Sequence, residues 1–163
     1  MTTKKIFVIN AGSSSIKYQL FNMPDPHPVC IGQVEKIGAE AEIRHKVNHS
    51  PTLVIERSTS IANHRQAMEQ ILALLTDKET GVIETSEDIE LVGHRIVHGG
   101  EDFVEATIIN EAAKSKIRSL FSLAPLHNPV NYACLEIAEQ YFTRATQVAI
   151  FDTAFHQTIP GHV

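Results

Sequence analysis

Residues 6–20, IFVINAGSSSIKYQL, carry an apolar strand into a turn of small residues and out again as a second strand. Ile6, Val8 and Ile9 lead to Asn10, and Ala11-Gly12-Ser13-Ser14 makes a turn with no bulky side chain to obstruct an incoming phosphate. Gly12 can take a positive φ in such a hairpin turn. Successive N–H groups of the turn can cup an anion, and three serine hydroxyls and one lysine ammonium stand beside it. Along the outgoing strand the period of two puts Ser13, Ser15 and Lys17 on one side and Ile16, Tyr18 and Leu20 on the other. One face is set for chemistry, the other for a core. The spacing matches neither G-x-x-x-x-G-K-[ST] nor a G-x-G-x-x-G between strand and helix, which sets aside P-loop and Rossmann proteins. On these residues alone a serine-rich turn with a solvated lysine is as good a reading as a phosphate grip.

Working outward, Met23-Pro24-Asp25-Pro26-His27-Pro28 excludes a helix and a central strand. Residues 29–37, 40–48 and 52–57 read as further strands, the middle ones polar on one side. Helical spacing then places Ile61, Met68, Ile71, Leu72 and Leu75 on one stripe, with Ser60 or Thr59 as N-cap. Ile89, Leu91 and Val92 form a short strand leading into Gly93–Glu101, and residues 111–120 read as a short helix. Leu123-Ala124-Pro125-Leu126-His127-Asn128-Pro129 reads as a rigid loop, and a helix is expected from about Val130 to Phe142. The last strand, Gln147–Phe151, delivers Asp152 at its carboxyl end, where open α/β sheets usually keep active-site residues. Mixed strands and helices predict an α/β fold.

The chain has 163 residues, the length of one ordinary domain. A charged fraction of 20 % with 43 % hydrophobic residues describes a globular rather than a disordered chain. A net charge of −5 argues against wholesale binding to nucleic acid or to an anionic membrane, and no apolar run is long enough to span a bilayer. Cys30 and Cys134 lack any C-x-x-C partner, so reduced structural thiols in a cytoplasmic protein are expected. His45/His49 and His94/His98 are each spaced by four, but neither lies in H-E-x-x-H, and zinc is a weak reading. His94, His98 and His156 are read as supporting hydrogen-bonding groups.

Four polar clusters interrupt the apolar elements: N-A-G-S-S-S-I-K from Asn10, G-H-R-I-V-H-G-G-E from Gly93, L-A-P-L-H-N-P from Leu123 and F-D-T-A-F-H from Phe151. Together and in this order they closely resemble the signature stretches of the acetate kinase family. The resemblance implies the N-terminal domain of an actin-like kinase fold, with a phosphate hairpin at 6–21 and substrate and magnesium motifs at 93–101, 123–129 and 151–156. It implies reversible phosphoryl transfer from MgATP to a short carboxylic acid. By motif match Asn10, Gly12, Ser13, Ser15 and Lys17 would line the phosphate loop, and Arg95 would grip the carboxylate or the phosphoryl group. His127 would donate to phosphoryl oxygens, Asp152 with Asn10 would hold Mg2+ (or Mn2+), and Val97 and Leu126 would wall the alkyl group. ATP or ADP, a short carboxylate and a homodimer in the full-length protein complete the implied set.

The chemistry asks for these residue types. A carboxylate is already ionised at neutral pH, so no general base is needed. The obstacle is bringing one anion to another, which calls for positioning and charge neutralisation. Arginine grips a carboxylate bidentately and keeps its proton, histidine donates a hydrogen bond, and aspartate offers Mg2+ a hard oxygen. Family members are more than twice this long, so these residues alone are expected to have little activity and to expose apolar surface. A propionate or butyrate kinase, or a non-catalytic actin-like nucleotide-binding module, is the alternative reading.

Overall fold

Alternating apolar and polar residues predict that each strand buries one side, and a computed structural model, which describes residues 3–49 and 51–156, shows where those sides go. The first five strands form an antiparallel meander: β1 (Lys4–Gly12), β2 (Ser15–Met23), β3 (Pro28–Glu35), β4 (Glu40–Val47) and β5 (Leu53–Ser60). The chain crosses one face as α1 (His64–Thr76) and returns as β6 (Leu91–Ile96), parallel to β1. Then come β7 (Thr107–Ile108), α2 (Glu111–Ser119), α3 (Asn128–Tyr141), β8 (Thr146–Phe151) parallel to β6, and α4 (Asp152–His156). Strand order is β5-β4-β3-β2-β1-β6-β8-β7. The expected mixed sheet flanked by helices is therefore present.

Ile9 pairs with His94, and His94 with Ala149, so β1, β6 and β8 run the same way and end side by side. Phe7, Ile9 and Ala11 of β1, Ile16, Tyr18 and Leu20 of β2, and Val92 and Ile96 of β6 are buried among residues of α1, α2 and α3. The Phe7 ring lies 5.2 Å from Phe142 and 5.7 Å from Tyr18. Aromatic pairs of this kind each add about 0.5–1.5 kcal/mol to simple burial. The Tyr18 hydroxyl meets His45 Nδ1 at 2.7 Å across β3. Only a residue without a side chain allows this crossing, since a Cβ on Gly32 would lie 2.1 Å from the tyrosine ring.

The opposite face is free of helices among the described residues. One cross-strand row on it reads Ile31, Gln19, Val8, Gly93, Val148 and Ile108. Toward the carboxyl ends of the parallel strands, Gln33, Lys17 and Asn10 form the next row from β3 to β1, and Arg95 pairs with Ile150 between β6 and β8. Apolar side chains are exposed here at Ile31 (37 %), Ile150 (50 %) and Ile108 (64 %).

Several boundaries differ from those expected, among them β6, which runs on through residues 93–96, where the spacing places the segment after the strand. β5 continues to Ser60, and the cap of α1 is Asn63, whose carboxamide accepts from the Gln66 N–H, not Thr59 or Ser60. Ile61 is buried ahead of that helix, its N–H bonded to the Ala39 carbonyl; an apolar residue just before the cap mimics the helical stripe. α3 starts at Asn128 with Pro129 in its first turn, where the missing N–H costs nothing, so the expected rigid loop is shorter. The two-residue β7 was not anticipated, because two residues show no period.

His94 is fully enclosed, and its Nε2 donates to Gln147 Oε1 at 2.7 Å. Burial pushes its pKa down to about 4, and burial lowers His45 as well. The unfolded chain therefore binds protons that the folded chain refuses as pH falls below about 6.5, and stability declines from there toward the folded value. The shift of His94 corresponds to about 3 kcal/mol at the acid end. The melting midpoint is expected to fall steadily from pH 7 to pH 4.5, and His94→Gln to flatten much of that slope; a level wild-type profile contradicts this. Gly32→Ala, which forces the Tyr18 ring aside, is expected to lose about 1–3 kcal/mol in a denaturant titration.

Candidate active site

The hairpin of β1 and β2 closes at the pair Gly12 and Ser15, with Ser13 and Ser14 exposed at its tip. Gly12 does not take a positive φ; among the described residues Lys36, Gly38 and Gly100 do. Its small size serves another end, since a Cβ there would lie 2.8 Å from Ser15 Oγ. His64, the first residue of α1, donates from Nε2 to the Gly12 carbonyl at 2.7 Å, and the Ile37 N–H donates to the Ser14 carbonyl at 2.9 Å. Both contacts brace the turn from the protein side.

Asn10 and Lys17 are direct partners across β1 and β2, on the helix-free face. They line a groove of about 280 Å³ together with Val8, Gln19, Ile31 and Gln33. Arg95 is one residue past His94, the last β6 partner of β1, and beyond it the end of β8 leads to Asp152. The two are joined: Arg95 Nε donates to Asp152 Oδ1 at 2.9 Å and Oδ2 at 3.1 Å, and Nη2 donates to Oδ2 at 2.7 Å. These hydrogen bonds hold the guanidinium pKa above its ordinary value. With side chains 50 % and 35 % exposed, the pair sits in water-screened surroundings. Pairs so exposed typically contribute about 0–1 kcal/mol, which leaves the partners free to exchange.

Beyond β6 the chain turns sharply, and α3 holds the turn. Buried Asn128 accepts from the His98 N–H at 3.1 Å and donates to the His98 carbonyl at 2.8 Å. Buried Asn131 contacts the Val97 N–H and the Ala11 carbonyl. Thr153 Oγ1 accepts from the Gly99 N–H at 2.9 Å, and His98 Nδ1 accepts from the Gly100 N–H at 2.9 Å. His94 and His98 thus serve as supporting hydrogen-bonding groups, while the side chain of His156 lies outside the described residues. Among the described residues no three His, Cys, Asp or Glu side chains lie together.

Asn10, Lys17, Arg95 and Asp152 therefore share one face and one edge, with Gly12, Ser13 and Ser15 at its hairpin end. Val97 is half-buried on the turn after β6. Leu126, 77 % exposed, and His127 stand immediately before α3, next to Asn128 and its tie to His98. His127, exposed, makes no capping bond with its side chain at the helix start. His64 and Asn131 lay outside every motif. For Asn131 a signal did exist: Asn128 and Asn131 are spaced for one helix face that is otherwise apolar.

A family model described as the acetokinase family matches residues 5–163. Acetate kinase of Methanosarcina acetivorans is 44 % identical over 158 residues, covering 97 % of this chain and 38 % of that protein. Acetate kinase of Flavobacterium johnsoniae is 48 % identical over 158 residues, covering 96 % and 39 %. Among solved structures, Porphyromonas gingivalis acetate kinase aligns with a TM-score of 0.89 at 38 % identity, covering 98 % of this chain and 40 % of that one. A propionate kinase from Francisella tularensis aligns at 0.85 and 33 % identity, covering 98 % and 40 %. The chain thus spans about two fifths of the length of the curated relatives it matches.

The brace from α1 to the hairpin can be tested alone. His64→Ala is expected to speed amide exchange at Gly12–Ser15 severalfold with a loss of global stability of about 1 kcal/mol; unchanged exchange would show that the turn does not depend on it.

Proposed function

Because the chain belongs to the acetokinase family, we propose that its residues form the phosphate- and carboxylate-handling part of an acetate kinase, which moves a phosphoryl group reversibly between MgATP and acetate to give acetyl phosphate and ADP. The observation that carries this reading is the Arg95–Asp152 pair: a guanidinium at the end of a central parallel strand, beside a phosphate hairpin, already grips a carboxylate with both arms of its fork.

Acetate would take the place of the Asp152 carboxylate on Arg95, an exchange of like for like at a weakly held exposed pair. Lys17 and the N–H groups of the hairpin turn face the terminal phosphate, and the His127 side chain donates to an oxygen of the phosphoryl group in flight. No base is required, because the attacking carboxylate oxygen carries its charge from the start. When bound, the magnesium ion of MgATP would neutralise phosphate charge as it is redistributed. Val97 and Leu126 close the apolar side around the methyl group. The same reading takes ATP and ADP as the nucleotides, the cytoplasm as the setting and a homodimer as the full-length assembly.

A larger acid would need only a roomier wall, a difference of roughly 1–3 kcal/mol per methylene. The test is therefore trapping of acyl phosphate as the hydroxamate in the native polypeptide that carries these residues, with MgATP and acetate, propionate or butyrate in parallel. Hydroxamate is expected most strongly with acetate. Arg95→Ala is expected to lower kcat/KM for acetate about 100-fold, the scale of losing one hydrogen-bonded charge pair, with nucleotide binding retained. Absence of product with every acid would favour a binding module instead.

A further inference from the structure

Parallel pairing joins Ile6–Ile9 of β1 to Leu91–His94 of β6. Continued in the same register, Ala11 would stand opposite Ile96, and the slanted bonds of a parallel ladder would run from the Val97 N–H to the Ala11 carbonyl. A carboxamide occupies that rung instead. Asn131 Nδ2 donates to the Ala11 carbonyl at 2.7 Å, and Oδ1 accepts from the Val97 N–H at 3.2 Å. The two backbone groups that the ladder would have joined are still satisfied, but the strands are held apart by the width of one amide.

The insertion is enclosed, Asn131 being 4 % exposed, and it is anchored on a rigid element. One turn earlier Asn128, fully buried, binds both backbone groups of His98, so α3 supplies carboxamide partners to two successive residues after β6. The tied groups are immediate neighbours of the site residues. Ala11 lies between Asn10 and Gly12, and Val97 is two residues from Arg95. A shift of either strand end therefore moves the phosphate hairpin relative to the guanidinium.

We propose that Asn131 is a positioning residue, a spacer that sets the gap between the phosphate hairpin and the strand bearing Arg95. The catalytic part of this inference rests on the kinase reading; the spacing part does not. If the gap is the one a phosphoryl group in transfer must fit, closing it should impair turnover rather than binding, since a misplacement of about 1 Å in such sites costs on the order of 10²-fold.

The test uses Asn131→Ala in the native polypeptide, with Asn131→Ser as a second variant should the first fail to fold. Crystal structures of wild type and variant give the separation of the Ala11 carbonyl oxygen and the Val97 nitrogen, and trapping assays give kcat and KM. The expected result is closure of that separation to a direct hydrogen bond, with kcat about 30- to 100-fold lower and KM for acetate and MgATP changed less than about threefold. A merely structural asparagine would lower the melting midpoint and leave kcat of the folded fraction intact. An unchanged separation overturns the spacer, and a closed gap with full kcat overturns its catalytic importance. Should wild type yield no hydroxamate with any acid, the kinase reading falls, while the measured separation still decides whether Asn131 is a spacer.

Discussion

Two parallel pairings, β6 with β1 on one side and with β8 on the other, hold the whole candidate site in place. Because Ile9, His94 and Ala149 lie in one row, the three strands end level with one another. The hairpin turn, Arg95 and Asp152 then emerge along a single edge although they come from distant parts of the chain. A slip of one residue in either pairing would turn Arg95 or Asp152 toward the helices and bring buried apolar groups out. The burial of Phe7, Ile9, Val92, Ile96 and Phe151 against α1, α2 and α3 forbids that slip. The core thus sets the geometry of the edge as well as its stability.

The sheet is also divided by charge. Toward the helices it encloses His94, Gln147, His45 and Tyr18, polar groups that answer one another and remain neutral. Toward the open face it keeps Lys17, Arg95 and Asp152, whose charges stay in contact with water. Desolvation makes an enclosed charge costly, so the division keeps ionised groups where a polar ligand would meet them.

Much of this was legible in the residues. The alternation of Ser15, Lys17 and Gln19 with Ile16, Tyr18 and Leu20 declares a two-faced strand, and the apolar run ending at Asp152 declares a strand end. The order of four signature stretches supplied the family. What stayed hidden depends on contacts between segments far apart in sequence. The bond from His64 to the Gly12 carbonyl spans 52 residues, and that from Asn131 to the Ala11 carbonyl spans 120. The helical spacing of Asn128 and Asn131 marks a polar patch on a buried face, but no local pattern names either bond's distant partner. Gly12 was recognised as special for the wrong reason, because a glycine looks the same in sequence whether it frees φ or makes room for Ser15 Oγ. The cap at Asn63 was misplaced because Ile61, buried by its own bond to Ala39, mimics a helical position.

The bidentate contact between Arg95 and Asp152 joins β6 to the first residue after β8, beside the last backbone pair, Ile96 with Phe151. It is a rung made of side chains where the main-chain ladder stops. Backbone rungs open only when strands separate, whereas a rung between two exposed side chains can be traded for another partner while the strands stay zipped. The carboxyl edge of the sheet can therefore change its bonding one contact at a time, and the structure beneath it need not melt for the edge to rearrange.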